Sequence, residues 1–165
     1  MTAPDSAVVV RRARREDGPR MAALHRELAR FEKLPPPDDA EEARLLSWIF
    51  DGGRLEALVA ERGGRVEGMA IFWEGLGSSF RARPFLFLED LVVTASARGA
   101  RLGEALMAAL AREGVARGAI RIDWAVLDWN ENAMRFYRRI GGRHQTEWLR
   151  YTLEEEGMRR LAEPS

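Results

Sequence analysis

There is no cysteine anywhere in these 165 residues, which removes disulfides, thiolate nucleophiles, acyl-enzyme thioesters and thiolate zinc sites together. Histidine is nearly as scarce. His25 and His144 are too few and too far apart to suggest a cluster of ligands, so no metal is expected. Lysine occurs only as Lys33, the other basic residues being arginines. An excess of one sign of charge is missing too, since 26 basic residues meet 26 acidic ones, and neither a nucleic acid nor a membrane surface is expected as a partner. No run of about 18 apolar residues is present. Met1 to Ser6 lacks the basic start and apolar core of a signal peptide. The expectation is a soluble cytoplasmic protein. Its length suits a single domain over residues 1–165 that buries roughly two-thirds of the surface of its unfolded chain.

What is present is a regular alternation of strand and helix signals. Val8-Val9-Val10 reads as a strand, and Met21, Leu24, Leu28 and Phe31 recur at helical spacing behind it. Pro35-Pro36-Pro37 cannot continue that helix. Asp38-Asp39 offers an N-cap for a second one reaching Phe50, and Gly52-Gly53 ends it. Leu55 to Glu61 and Val66 to Trp73 read as a hairpin about Gly63-Gly64. A loop, Gly75 to Arg83, carries Arg81 and Arg83. Phe85 to Val93 is a long apolar strand, Leu102, Leu106, Ala109 and Leu110 stripe the helix after it, and Ile120 to Val126 returns as a strand. Asn132 to Ile140 is a short helix closed by Gly141-Gly142, and Glu147 to Leu153 reads as a last strand before a polar helical tail. Hairpin and crossover links together predict a mixed sheet with helices on its faces.

Three places carry chemistry. Arg98 to Glu104 joins the long strand to a helix whose first backbone N–H groups have no intrahelical partner, and Gly99 and Gly103 allow close approach of an anion. A plain strand-to-helix turn has the same letters. Glu89 and Asp90 interrupt an apolar strand, where ionised carboxylates are costly unless paired, solvated or functional. Strict alternation would send the two to opposite faces. Either an arginine neutralises Glu89, or Glu89 accepts a proton from an ammonium substrate, directly or through water. Tyr137 is a phenol on a short helix beyond Asn130; it is either a proton donor or a packed tyrosine with its hydroxyl satisfied.

Leu88-Glu89-Asp90, the Arg98 to Gly103 loop, Arg30-Phe31-Glu32, Trp129-Asn130-Glu131 and Phe136-Tyr137-Arg138-Arg139 stand in an order that resembles the GCN5-related N-acetyltransferase (GNAT) superfamily, and within it the diamine (spermidine/spermine-type) branch. The resemblance spans most of the chain. It implies an α/β fold with a mixed, mostly antiparallel central sheet of six to seven strands and helices on both faces. It also implies direct transfer of the acetyl group of acetyl-CoA to a primary amine of a small molecule, a diamine, polyamine or lysine-like amino acid, in a ternary complex. Tyr137 would be the general acid and Glu89 would assist deprotonation. Leu91, Val92, Val93, Arg98, Gly99, Ala100, Arg101, Leu102, Gly103, Glu104, Asn130, Ala133 and Tyr137 would hold acetyl-CoA. Phe31, Glu32, Glu89, Asp90 and Trp148 would receive the amine. A homodimer is implied as well.

Three departures stand out. The family pattern has glycine where this chain has Arg101, so a loop that needs positive φ there would strain the arginine. Phe31 stands where tyrosine is usual, and the loop with Arg81 and Arg83 lacks the acidic residues of the polyamine branch, which favours an amino-acid amine over a polyamine. A protein or peptide N-acetyltransferase and a non-catalytic acyl-CoA-binding module are the alternatives.

Overall fold

The computed structural model describes residues 7–99 and 101–163. The chain falls into two compact units, one ending at Trp129 and the other beginning at Asn130. The first is built on one sheet of five strands in chain order, β1 (Val9–Arg12), β2 (Glu56–Arg62), β3 (Arg65–Ser78), β4 (Arg83–Val93) and β5 (Ile122–Trp124). The first three pairings are antiparallel and the last, β4 with β5, is parallel. α1 (Gly18–Phe31) and α2 (Asp39–Phe50) lie between β1 and β2 in sequence, and α3 (Leu102–Ala116) makes the crossover between the two parallel strands. The second unit holds α4 (Glu131–Arg139) and α5 (Glu155–Ala162).

The mixed α/β sheet is as the sequence predicts, but its strands number five among the described residues rather than six to seven. The predicted strand from Glu147 to Leu153 does not form, and the Ile120 to Val126 run, though one of the five, pairs only over Ile122–Trp124. A run with β propensity becomes a strand only where an edge offers hydrogen bonds. Among the described residues the second unit contains no such edge. The predicted loop from Gly75 to Arg83 is instead mostly hairpin, because β3 continues to Ser78 against β4.

Side-chain alternation divides the sheet into two faces. Met69 and Ile71 of β3, Ala57 and Val59 of β2, and Val92 of β4 pack with Met21 and Leu24 of α1. The intervening residues, Leu58, Ala60, Ala70 and Phe72, are buried on the other side. That side carries α3 through Leu102, Leu106 and Leu110, each at most 1% exposed. Gly68 permits the close fit. A Cβ there would stand 3.1 Å from the Val92 carbonyl oxygen and 3.3 Å from Leu106 Cδ1. α2 starts on a reciprocal cap in which Asp38 accepts from the Glu41 N–H at 2.8 Å and Glu41 accepts from the Asp38 N–H at 2.9 Å.

Asp17, at the turn into α1, is buried and accepts from Arg11 Nη1 and Nη2 at 2.7 and 2.9 Å and from the Arg14 N–H at 2.7 Å. The Arg11 bonds above all, and then the Arg14 N–H, hold this carboxyl below its ordinary range against the opposing cost of burial. A depressed carboxyl stabilises the fold above its unfolded pKa, and that stability is lost as pH falls through the folded value. Acid titration of the urea midpoint should therefore show a decline beginning near pH 4. In Asp17→Asn the decline should be weakened and the stability at pH 7 lower by about 1 to 2 kcal/mol.

Candidate active site

The pairing of β3 with β4 slips by one residue at the place where the sequence carries its two carboxylates. Ile71 faces Asp90 and Phe72 faces Leu88, which leaves Glu89 as the extra residue of a β-bulge. The bulge cancels the alternation. Asp90 stands opposite Ile71 on the α1 face, with its Oδ2 3.7 Å from Nε2 of His25. Glu89 turns to the same face, where its Oε1 accepts from the indole N–H of Trp73 at 2.6 Å. The expectation that Glu89 and Asp90 point apart is thus corrected, and the partner holding Glu89 is an indole rather than an arginine.

Asp90 keeps 24% of its side-chain surface. Burial foremost pushes its carboxyl above the ordinary range; His25 opposes this, while the charges of Glu89 and of Glu32 at the end of α1 add to it. Glu32 and Glu89 thus both act on Asp90, a concentration of negative charge that suits an ammonium ion. Phe31, next to Glu32, is 38% exposed and meets Trp129 in a tilted contact with ring centroids 5.6 Å apart, and Lys33 sits 5.1 Å over the Trp129 ring.

Beyond the bulge β4 keeps β3 on one side and has no strand on the other. β5 pairs with β4 only at Leu86, Phe87 and Leu88, so the backbone edge of Leu91, Val92 and Val93 on that side has no strand partner among the described residues. The chain then passes through a 3-10 turn at Ala95–Ala97 to Arg98 and Gly99. Gly99 has φ of 88° and no atom within 4 Å of where a Cβ would be, so the loop is open at that point. Ala100 lies outside the described residues. Arg101 adopts φ of 59° as the N-cap of α3, the left-handed conformation that glycine takes freely and other residues resist. Leu102 is buried, and Gly103 lies in the first turn of the helix, where a backbone N–H has no intrahelical partner. Glu104 stands in the same turn, and its carboxylate would repel a phosphate. The cationic loop meets the end of α1: the Arg98 guanidinium lies 5.5 Å over the Phe31 ring.

The strain at Arg101 is measurable. Arg101→Gly should raise stability by about 1 kcal/mol, the left-handed penalty less the added freedom of the unfolded chain. That amounts to an increase of roughly 2–4 °C in Tm by thermal unfolding.

The second unit carries the remaining residues. Asn130 caps α4, its side chain accepting from the Ala133 N–H at 3.1 Å. That bond gives both residues a local structural role. Tyr137 lies on α4, half-buried, with its ring 5.3 Å from that of Phe136. Trp148 is 84% exposed and lies in no regular element, so it is not a core residue of its unit. Arg83, expected near the substrate, donates instead to the Gly118 carbonyl at 2.8 and 3.1 Å.

His25 and Trp73 were missed in the sequence. His25 lies two helical turns before Glu32 on the same face of α1, a spacing that could have revealed it. Trp73 could not have been found, since only the bulge brings it to Glu89.

An apolar strand with one unpaired edge, a loop that opens a helix N-terminus, and acidic side chains at the end of α1 and on β4 suit a transferase that brings an anion and a cation together. Residues 20–142 match the acetyltransferase (GNAT) family, and the chain belongs to that family; it is an acetyl-CoA-dependent N-acetyltransferase. It is 32% identical over 165 residues to the thialysine N-epsilon-acetyltransferase of Mus musculus, covering 93% of this chain and 96% of that one. In fold it is similar to an integron cassette protein from the mobile metagenome of V. cholerae, with a TM-score of 0.81, 24% identity and coverage of 95% and 98% of the two chains. It is also similar to an aminoglycoside N-acetyltransferase solved in complex with CoA, with a TM-score of 0.74, 22% identity and coverage of 92% and 98%. Among the described residues, no helix is long and apolar enough to cross a membrane.

Proposed function

We propose that this enzyme acetylates the side-chain amine of a lysine-like amino acid, thialysine first among candidates, by direct transfer in a ternary complex. The observation that carries this reading is the β4 bulge, which turns Glu89 and Asp90 to one face beside Glu32. Such a cluster suits an ammonium group, and the likeness to thialysine acetyltransferases supports an amino acid as its bearer. Both units belong to one catalytic domain in this reading, because the family match runs across the boundary at Trp129.

The residues present fit acetyl-CoA. The first-turn N–H groups of Leu102 and Gly103, the open turn at Gly99, and the positive charges of Arg98 and Arg101 suit its pyrophosphate. The unpaired edge of Leu91 to Val93 suits an extended arm that adds to a sheet. When bound, acetyl-CoA supplies an activated acyl group. The chain's own part is to hold the ammonium on Asp90 and Glu32 and to take its proton toward Glu89. Tyr137 returns a proton to the departing thiolate, and with no cysteine for a covalent intermediate, proximity of the two substrates drives the step.

A homodimer and a cytoplasmic location go with this reading. The exposed Trp148, Leu149 and Tyr151, each more than three-quarters exposed, support a partner surface on the second unit.

The test is release of free CoA thiol from acetyl-CoA with thialysine, ornithine, lysine, diamines, polyamines and short peptides. Turnover should be fastest with thialysine. Turnover on peptides alone would overturn the small-amine reading, and acetyl-CoA binding without turnover on any acceptor would favour a binding module.

A further inference from the structure

We propose that His25 is a positioning residue that presents Asp90 as the anionic seat of the amine and so sets affinity for cationic substrates without taking part in acetyl transfer. This rests on the amine-binding role given to Asp90 above.

His25 is half-buried on α1, in a crevice lined by Met21, Leu45, Leu46 and Ile49. Its Nδ1 is buried and has no hydrogen-bond partner. For the fold this is a poor arrangement, since an unsatisfied buried polar atom is costly and a leucine would fill the same apolar space. What the imidazole supplies and a leucine cannot is the Nε2 edge, 3.7 Å from Oδ2 of Asp90. With no acceptor beside Nδ1, the tautomer that wastes no donor places the hydrogen on Nε2, facing the carboxylate.

The charged groups around the pair are otherwise acidic. Glu89 comes from β4, Glu32 from the end of α1, and Glu42 from α2, where it is paired with Arg26. Burial foremost, with Glu89 and Glu32, favours the neutral acid, and the charge of His25 favours the anion. A neutral acid has no charge to hold an ammonium ion. Without His25, Asp90 would hold its proton to higher pH and bind the amine less well.

The experiment measures KM for thialysine, KM for acetyl-CoA, and kcat from pH 5 to 9 in the wild type, His25→Leu and His25→Gln. His25→Leu is expected to raise the thialysine KM about tenfold and to move the acid limb of its pH profile upward, with kcat and the acetyl-CoA KM unchanged. His25→Gln, which keeps a polar N–H edge, should recover part of the affinity but not the position of the limb. A second arm follows the His25 ring resonances by NMR at fixed pH, His144 being the other histidine. Asp90→Asn should displace them whether or not an acceptor has been found. Turnover with an unchanged thialysine KM in His25→Leu overturns this inference alone, as do His25 ring resonances indifferent to Asp90→Asn. A wild type that acetylates no amine overturns the functional reading itself.

Discussion

Tyr137→Phe is expected to lower kcat by about 10²- to 10⁴-fold, the range spanned by loss of a positioned general acid, while leaving both KM values near those of the wild type. The substitution removes one hydroxyl and keeps the ring that meets Phe136 at 5.3 Å, so α4 should retain its packing. Its cap is independent of the change, since Asn130 accepts from Ala133 at the other end of the helix. A loss confined to kcat therefore reports on chemistry, because a group used only in the transition state changes kcat without changing ground-state binding. Steady-state kinetics with thialysine, with circular dichroism to check the fold, makes the measurement. A kcat within a factor of three of the wild type would remove Tyr137 from the mechanism.

Asp90→Asn should act on the other parameter and in two directions at once. Loss of a charge-assisted contact to an ammonium group costs about 1.5 to 3 kcal/mol, which raises the amine KM roughly 10- to 100-fold. Stability should move the opposite way. Burial and the fields of Glu89 and Glu32 raise the Asp90 carboxyl in the folded state, so its ionisation opposes folding as pH climbs through that raised value. The asparagine carries no charge to bury. The variant should be at least as stable as the wild type at pH 7 and lose this advantage below the unfolded carboxyl pKa near 4. Chemical denaturation at pH 7 and pH 4 beside the kinetics tests the pair of effects. Destabilisation at pH 7 would show Asp90 to be a structural ion-pair partner rather than a strained binding group.

The two effects share a cause. Burial of Asp90 beside Glu89 and Glu32 is unfavourable for the folded chain and would favour a cation that arrives later, the cost to the fold expected of the proposed amine site. Arg101 repeats it with the backbone instead of charge, holding φ of 59° at the start of α3.

Much of this was legible before the fold was known, where the signal is local. The stripe Leu102, Leu106, Ala109 and Leu110 marks the buried side of α3 because helical spacing alone puts those residues on one face. Asp38 caps α2 because a short acidic side chain reaches the N–H three residues on. Gly99 and the loop after it marked the start of α3, since a glycine-punctuated turn before an apolar stripe is a local signal. The departure at Arg101 could also be read in advance as a position where positive φ would strain the chain.

The sequence by itself determined the residue types available for chemistry, the mixed α/β class, and the place of the strand, loop and helix that suit acetyl-CoA, because each depends on neighbours a few residues apart. Only the tertiary structure decided that Glu89 and Asp90 share a face, that Trp73 holds Glu89, that His25 stands behind Asp90, and that Arg83 serves Gly118 rather than a substrate. Those facts depend on the register of β3 against β4 and on what α1 brings over the sheet. One extra residue in a ladder reverses the facing of its neighbours, and nothing in a single strand's letters records which residue its partner will leave unpaired.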